Sequence, residues 1–312
     1  MEHKLSRRDL IRSGFSAALG LTLPAAACAF ARPRPLQTVR LADHLIVVSA
    51  EGSNVVVVSG ENETVLVGGG EPGHARDLLR IVERESRRDF VPSLINTHWH
   101  SAHTGVNQRL GKRGAKIVAH ENTKLWMESD VFVDWEGRSY APRPKAALPN
   151  ATTYDSGEIA CGRERVRYVH LPQAHTDGDL YAFLLEANVL ITGDLLHVGR
   201  YPVIDYSTHG WIGGYLDATE ALLEVADSQT RIVPGEGPVQ TRAALEAQLA
   251  LCKAVKTRLS ESFRQGNSLE EFIASAPTRE FDASWSGDPV PFLAMAYQGA
   301  MGHLYELIQG IV

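Results

Sequence analysis

The chain has 312 residues, 44% hydrophobic and 22% charged, a balance that excludes both a disordered chain and an integral membrane protein and is enough to bury a substantial core. Its formal net charge of −6 and the lack of a basic run exclude a phosphate-backbone partner, so no nucleic acid is expected. No Pro/Gly/Ser linker, charge block or internal repeat interrupts the body, and one domain is expected over residues 32–312.

The first 31 residues differ from the rest. Ser6-Arg7-Arg8-Asp9-Leu10-Ile11-Arg12 is a twin-arginine pattern, followed by a mildly apolar stretch from Gly14 to Cys28 and a small-x-small cleavage site at Ala29-Phe30-Ala31. Residues 1–31 therefore read as a twin-arginine signal peptide, which makes the export machinery a partner and the periplasm the destination. An amphipathic helix that stays attached is the alternative. Too few strongly apolar residues follow for a membrane span in the mature protein. Cleavage removes four cations (Lys4, Arg7, Arg8, Arg12) and two anions (Glu2, Asp9), taking the charge from −6 to −8. Cys161 and Cys252 remain, either as one disulfide or as two buried thiols.

From Leu36 to Val67, short β-branched runs (Leu45 to Val48, Val55 to Val58, Thr64 to Val67) alternate with Gly52-Ser53 and Gly60-Glu61-Asn62, the pattern of a β-meander. Gly73 to Arg87 sets Ala75, Leu78, Leu79 and Val82 at helical spacing, and a buried strand is expected over Ser93 to Asn96. A strand over Ile117 to Ala119, a short helix over Asn122 to Met127 and a Pro-rich loop over Val131 to Asn150 follow. Thr152 to Thr192 is strand-rich, Gly214 to Ala226 helical, Arg231 to Val233 a strand, and the rest from Thr241 mostly helical with a break near Ala276-Pro277. This order suggests sheets packed on each other with helices outside, an α+β class.

Chemistry concentrates in Asn96-Thr97-His98-Trp99-His100-Ser101-Ala102-His103-Thr104-Gly105-Val106-Asn107, three histidines in six residues where a strand gives way to a helix. Imidazoles at i and i+2 of an extended strand end lie on one side and reach one ion, and the turn brings the third back toward them. His175, in Ala174-His175-Thr176-Asp177-Gly178-Asp179, and Asp194, in Ile191-Thr192-Gly193-Asp194, each follow an apolar strand and complete the set. Neutral imidazoles plus one carboxylate and a water suit zinc.

With these residues the sequence resembles the metallo-β-lactamase-fold metallohydrolase superfamily, whose signature is H-x-H-x-D-H, a distant His, an Asp or Cys, and a final His. Thr97-His98-Trp99-His100, Ala119-His120-Glu121-Asn122, His175-Thr176-Asp177-Gly178-Asp179, Thr192-Gly193-Asp194 and Pro234-Gly235-Glu236-Gly237-Pro238 keep the family's order. The resemblance implies a four-layered αββα sandwich with the metal at one edge between the sheets. It makes His98, His100 and His175 the first metal's ligands and Asp194 the bridge to a second, weaker site near His103. It also implies a hydroxide held by the metal that attacks a carbonyl or phosphoryl centre.

The sequence departs from that pattern on one side. Ala102 stands where the signature has Asp, Glu236 where it has the final His, and Gly68 where many relatives have Asp. One zinc is expected, with a second divalent ion only at a weaker, oxygen-rich site. Leaving-group protonation needs a donor, for which Glu236 is the first candidate and Asp177 the second. Trp99, Tyr201, His209, Trp211 and the loop with Trp135 and Tyr140 are expected near the mouth, and His120 to be structural. Two functions fit: an exported hydrolase of small ester, thioester, lactone or lactam substrates, or a catalytically degraded metal-binding accessory module.

Overall fold

The computed structural model describes residues 35–50, 52–86 and 92–309, so the expected signal segment 1–31 lies outside the described residues. The expected meander is present as β1 (Gln37–Ala42), β2 (Leu45–Ala50), β3 (Ser53–Ser59) and β4 (Thr64–Val67), followed by α1 (Ala75–Ser86) and β5 (Ser93–Ile95). Next come α2 (Asn107–Gly111), β6 (Ile117–His120), α3 (Glu121–Glu128), β7 (Val131–Val133), β8 (Arg138–Tyr140) and β9 (Ala151–Thr153). A second group comprises β10 (Ser156–Cys161), β11 (Glu164–Leu171), β12 (Asp179–Leu184), β13 (Val189–Gly193), α4 (Ile212–Val225) and β14 (Arg231–Pro234). The chain continues through α5 (Arg242–Arg264), α6 (Leu269–Ala274), α7 (Pro289–Ala300) and α8 (Leu304–Gln309).

The first sheet runs β1-β2-β3-β4-β5-β6-β9 and the second β10-β11-β12-β13-β14. Hairpins keep β1 to β4 antiparallel, whereas the α1 crossover makes β4 and β5 parallel. Alternation along each strand assigns its two faces. Leu45, Val47, Val56, Val58, Val65 and Val67 meet Val166, Leu180, Ala182 and Ile191 between the sheets. Ile46, Val48, Val55, Val57 and Leu66 point the other way, onto Ala75, Leu78, Leu79 and Val82 of α1. The outer face of the second sheet is covered by α4, α5 and α7 through Leu216, Leu222, Leu251, Val255 and Phe292. Strands that are apolar on both faces are what a doubly covered sheet requires, and the result is the expected αββα sandwich.

Two local expectations change, and one alternative left open is decided. The Pro-rich loop begins with a hairpin, β7 to β8, in which Val131 and Val133 are buried and Phe132 is exposed, turned by Gly137 at φ 61°. Helix α4 starts before Gly214 because that glycine belongs inside its first turn, where a Cβ would come within 2.2 Å of the Gln173 carbonyl oxygen. Cys161 and Cys252 are both free and buried. Cys161 lies between the sheets and Cys252 in the core beneath the outer helices, so no disulfide joins them.

Leu66 is fully buried between the first sheet and α1. Leu66→Ala should cost about 2–5 kcal/mol, read as a lower urea midpoint at unchanged slope.

Candidate metal centre

Four loops at one edge of the sandwich carry the site, and hydrogen bonds of the backbone and of buried amide and carboxyl side chains fix them. The loop after β5 is closed by a reciprocal amide pair: Asn107 Nδ2 donates to Asn96 Oδ1 (2.7 Å) and Asn96 Nδ2 to Asn107 Oδ1 (3.1 Å), both residues fully buried. The loop after β4 is laced to it by Gly69 N to His103 O (2.6 Å), Gly105 N to Gly70 O (2.7 Å) and Val106 N to Gly69 O (3.0 Å). A Cβ on Gly105 would come within 2.4–2.5 Å of three backbone atoms of residues 70–72, so only glycine permits this approach. The loop after β11 is held by Asp179, which accepts from Thr176 N (2.7 Å) and Thr176 Oγ1 (2.8 Å).

On this frame His98, His100, His175 and Asp194 place one ligand atom each within 4.8 Å of one another. His175 Nε2 is 3.1 Å from His100 Nδ1, and Asp194 Oδ2 is 3.7 Å from His98 Nε2 and 3.8 Å from His175 Nε2. Ligands about 2.1 Å from a tetrahedral ion stand about 3.4 Å apart, so the spacing suits one such ion. The protons point outward. His100 Nε2 donates to Asp205 Oδ2 (3.0 Å) and His175 Nδ1 to the Val203 carbonyl (2.8 Å). Because both partners only accept, the remaining nitrogens, His100 Nδ1 and His175 Nε2, face each other as bare lone pairs when both rings are neutral. His98 Nε2 is buried without a hydrogen-bond partner. Two facing lone pairs and an orphaned third nitrogen are a poor arrangement for a protein interior unless a cation joins them. The residues therefore fit a metal ion.

The electrostatics agree. Burial, and then the charge of His103, hold His98 well below the ordinary histidine value. Burial followed by His100 brings His175 down to about 4, so these imidazoles are neutral ligands at pH 7. Burial would raise Asp194, but the charge and hydrogen bond of His103, with His98 and His175, hold it well below the carboxylate range.

Of the other predicted residues, His103 adjoins the four: its Nε2 lies 3.2 Å from Asp194 Oδ1 and its ring centroid 4.6 Å from that of His98. Glu236 forms an ion pair with Arg200. Asp177 accepts from Trp126 Nε1 (2.7 Å) and pairs with His209 Nδ1 (2.9 Å), outside the cavity lining. Trp99 is buried against His100, and Trp211 stacks on His303. His209 is surface-exposed. His120 caps α3 through Nδ1 and stacks on His170, as its structural assignment requires.

Trp135, Tyr140 and Tyr201 do line a cavity of about 360 Å3 above His100, His175 and Asp194. Two residues here escaped the sequence reading. Asp205 is fully buried, orients His100, and also accepts from Thr208 Oγ1 (2.7 Å) and Trp135 Nε1 (3.2 Å). Its one signal is a cap position before the turn Tyr206–Thr208. His197 lines the cavity with Nδ1 held 2.9 Å from the Tyr215 hydroxyl, and burial brings it down to about 3.

Asp205→Asn should weaken metal affinity about 10–100-fold, with zinc as the probe in competition against a chromophoric chelator, because His100 loses the charge that orients it. His175 and His197, with His120 lowered to about 4 by burial and His170, all titrate below the unfolded value of about 6.5. The unfolded chain then binds more protons on acidification. The stability these groups contribute is fully present above pH 6.5 and lost as pH falls toward 4. The urea midpoint of metal-free protein should accordingly be lower at pH 5 than at pH 7.5.

The family model of the metallo-beta-lactamase superfamily matches residues 48–237. Among solved structures, the metallo-beta-lactamase from Pontibacter korlensis shares 17% identity at a TM-score of 0.55, covering 70% of this chain and 99% of its own. The DIM-1 metallo-beta-lactamase shares 15% at 0.57, covering 71% and 98%. TMB-1 shares 14% at 0.55, covering 70% and 97%. At these identities the structural likeness speaks for the fold. The family match spans all four converging ligands, and the chain belongs to the metallo-beta-lactamase superfamily.

Proposed function

We propose that the protein is an exported zinc-dependent hydrolase of small ester, thioester, lactone or lactam substrates. The observation that carries this reading is the pair of bare nitrogens, His100 Nδ1 and His175 Nε2, 3.1 Å apart beside the orphaned His98 Nε2. A single zinc ion would be held by these three nitrogens and Asp194, and when bound it lowers the pKa of water toward about 7 and polarises a carbonyl. Trp135 and Tyr140, fixed by Asp205 and Glu136, wall the cavity and exclude bulk water from one side. A cavity of about 360 Å3 is at the small end for a ligand pocket, which favours small substrates.

Proton movement falls to His197. Glu236 has its carboxylate committed to Arg200, and Asp177 lies outside the cavity lining. The His197 imidazole, neutral at pH 7 and backed by the Tyr215 hydroxyl, is too weak a base at about 3 to store a proton, but it can accept a hydrogen bond from the attacking water at Nε2 and pass the proton on to the leaving group. The paired arginines Arg7 and Arg8 and the Ala29-Phe30-Ala31 site support export by the twin-arginine route to the periplasm. That route carries chains already folded, so the ion could be loaded beforehand.

Ala102 and the engaged Glu236 favour a second reading, a metal-binding module that has lost hydrolysis. Turnover of a panel of ester, thioester, lactone and lactam substrates separates the two. The hydrolase reading expects turnover in one class at one zinc per chain. It expects loss of both metal and turnover in His175→Ala, and in His197→Phe retained zinc with kcat lower by about 10²–10⁴. Zinc-loaded protein inert on the whole panel, but activated by Ala102→Asp with Glu236→His, would establish the degraded reading instead.

A further inference from the structure

The half of the centre around His103 is anionic and poor in donors. Ala102 offers no ligand atom, and His103 Nε2 and Asp194 Oδ1 are bonded to each other at 3.2 Å. Glu71, Glu236 and Asp194 all place negative charge on His103. Glu236 follows Gly235, which packs so closely on Asp194 that a Cβ would fall 1.9 Å from Oδ1. The backbone of Glu236 is thus beside the centre, its charge is felt by His103, and its carboxylate is paired with the guanidinium of Arg200.

Arg200 is held in place from behind. Gly199, at φ 63°, turns the chain, and its carbonyl accepts from Ser286 N (2.7 Å) and Ser286 Oγ (2.6 Å), with a β-bridge between Arg200 and Ser286. The side chain lines the same cavity as His103, Asp194 and His197. A guanidinium stays charged at every accessible pH and fits a carboxylate.

We propose that Arg200 is a built-in cation standing in for a second metal ion: it neutralises Glu236, withholds that carboxylate from coordination and makes the centre mononuclear. An ion entering beside His103 would meet two donors already bonded to each other and a carboxylate already paired, while the fixed positive charge repels it. Arg200 is here a positioning residue that sets metal count. The inference rests on the proposed function only in requiring that the first site bind zinc.

Zinc content by elemental analysis after dialysis, with calorimetric titration of the metal-free full chain, tests it. Wild type and Arg200→Lys should bind one zinc. Arg200→Ala should bind two, the second at least about tenfold more tightly than any second binding in wild type. Arg200→Ala with Glu236→Ala should return to one, because Glu236 is the ligand set free. Two tightly bound ions in wild type, one ion in Arg200→Ala, or two in the double variant would each overturn the inference while leaving a zinc hydrolase intact. A wild type that binds no zinc would overturn both.

Discussion

The edge of this sandwich is organised by one constraint: two imidazole lone pairs, His100 Nδ1 and His175 Nε2, are held face to face at 3.1 Å inside the protein. Such an arrangement is unfavourable on its own and survives only where the surroundings overdetermine it. The outward protons are committed to acceptors that cannot give one back, the Asp205 carboxylate and the Val203 carbonyl. Asp205 is in turn fixed by Thr208 and Trp135, and its own amide donates to the His175 carbonyl (2.8 Å). The two ligand loops are thus tied together through the residue that orients one of them.

The scaffold makes this precision affordable. Each ligand loop leaves the end of a strand: β5 before His98 and His100, β13, buried throughout, before Asp194, and β11, which buries one face and exposes Arg165 and Arg167 on the other, before His175. Apolar packing between and outside the sheets holds those ends, and the loops need only local hydrogen bonds to finish the geometry. Where loops come closest, glycine supplies the room, at Gly105 against residues 70–72 and at Gly235 against Asp194.

The two halves of the centre are unequal in kind. The His98 half is three imidazoles, of which burial holds His98 and His175 neutral, converging with one carboxylate. The His103 half carries excess negative charge, and Arg200 supplies a cation from the protein itself. The two halves meet at Asp194, whose Oδ2 faces His98 and Oδ1 faces His103, and at the contact of the His98 and His103 rings.

By itself the sequence determined the layers and the four side chains that converge as a candidate metal site. Strand alternation and helical spacing are local properties, and so is the placement of His98 and His100 at a strand end; the order of later motifs supplied His175 and Asp194. Tertiary structure alone decided what each polar side chain touches. Asp205 is more than 100 residues from His100 along the chain, with no periodicity to mark it. His197 acquires meaning only through Tyr215. Glu236 and Asp177, both credible acids as residue types, are spent on Arg200 and on Trp126 with His209. Residue type limits what a group can do, whereas its partner decides which of those things it does, and partners are chosen by packing between distant segments.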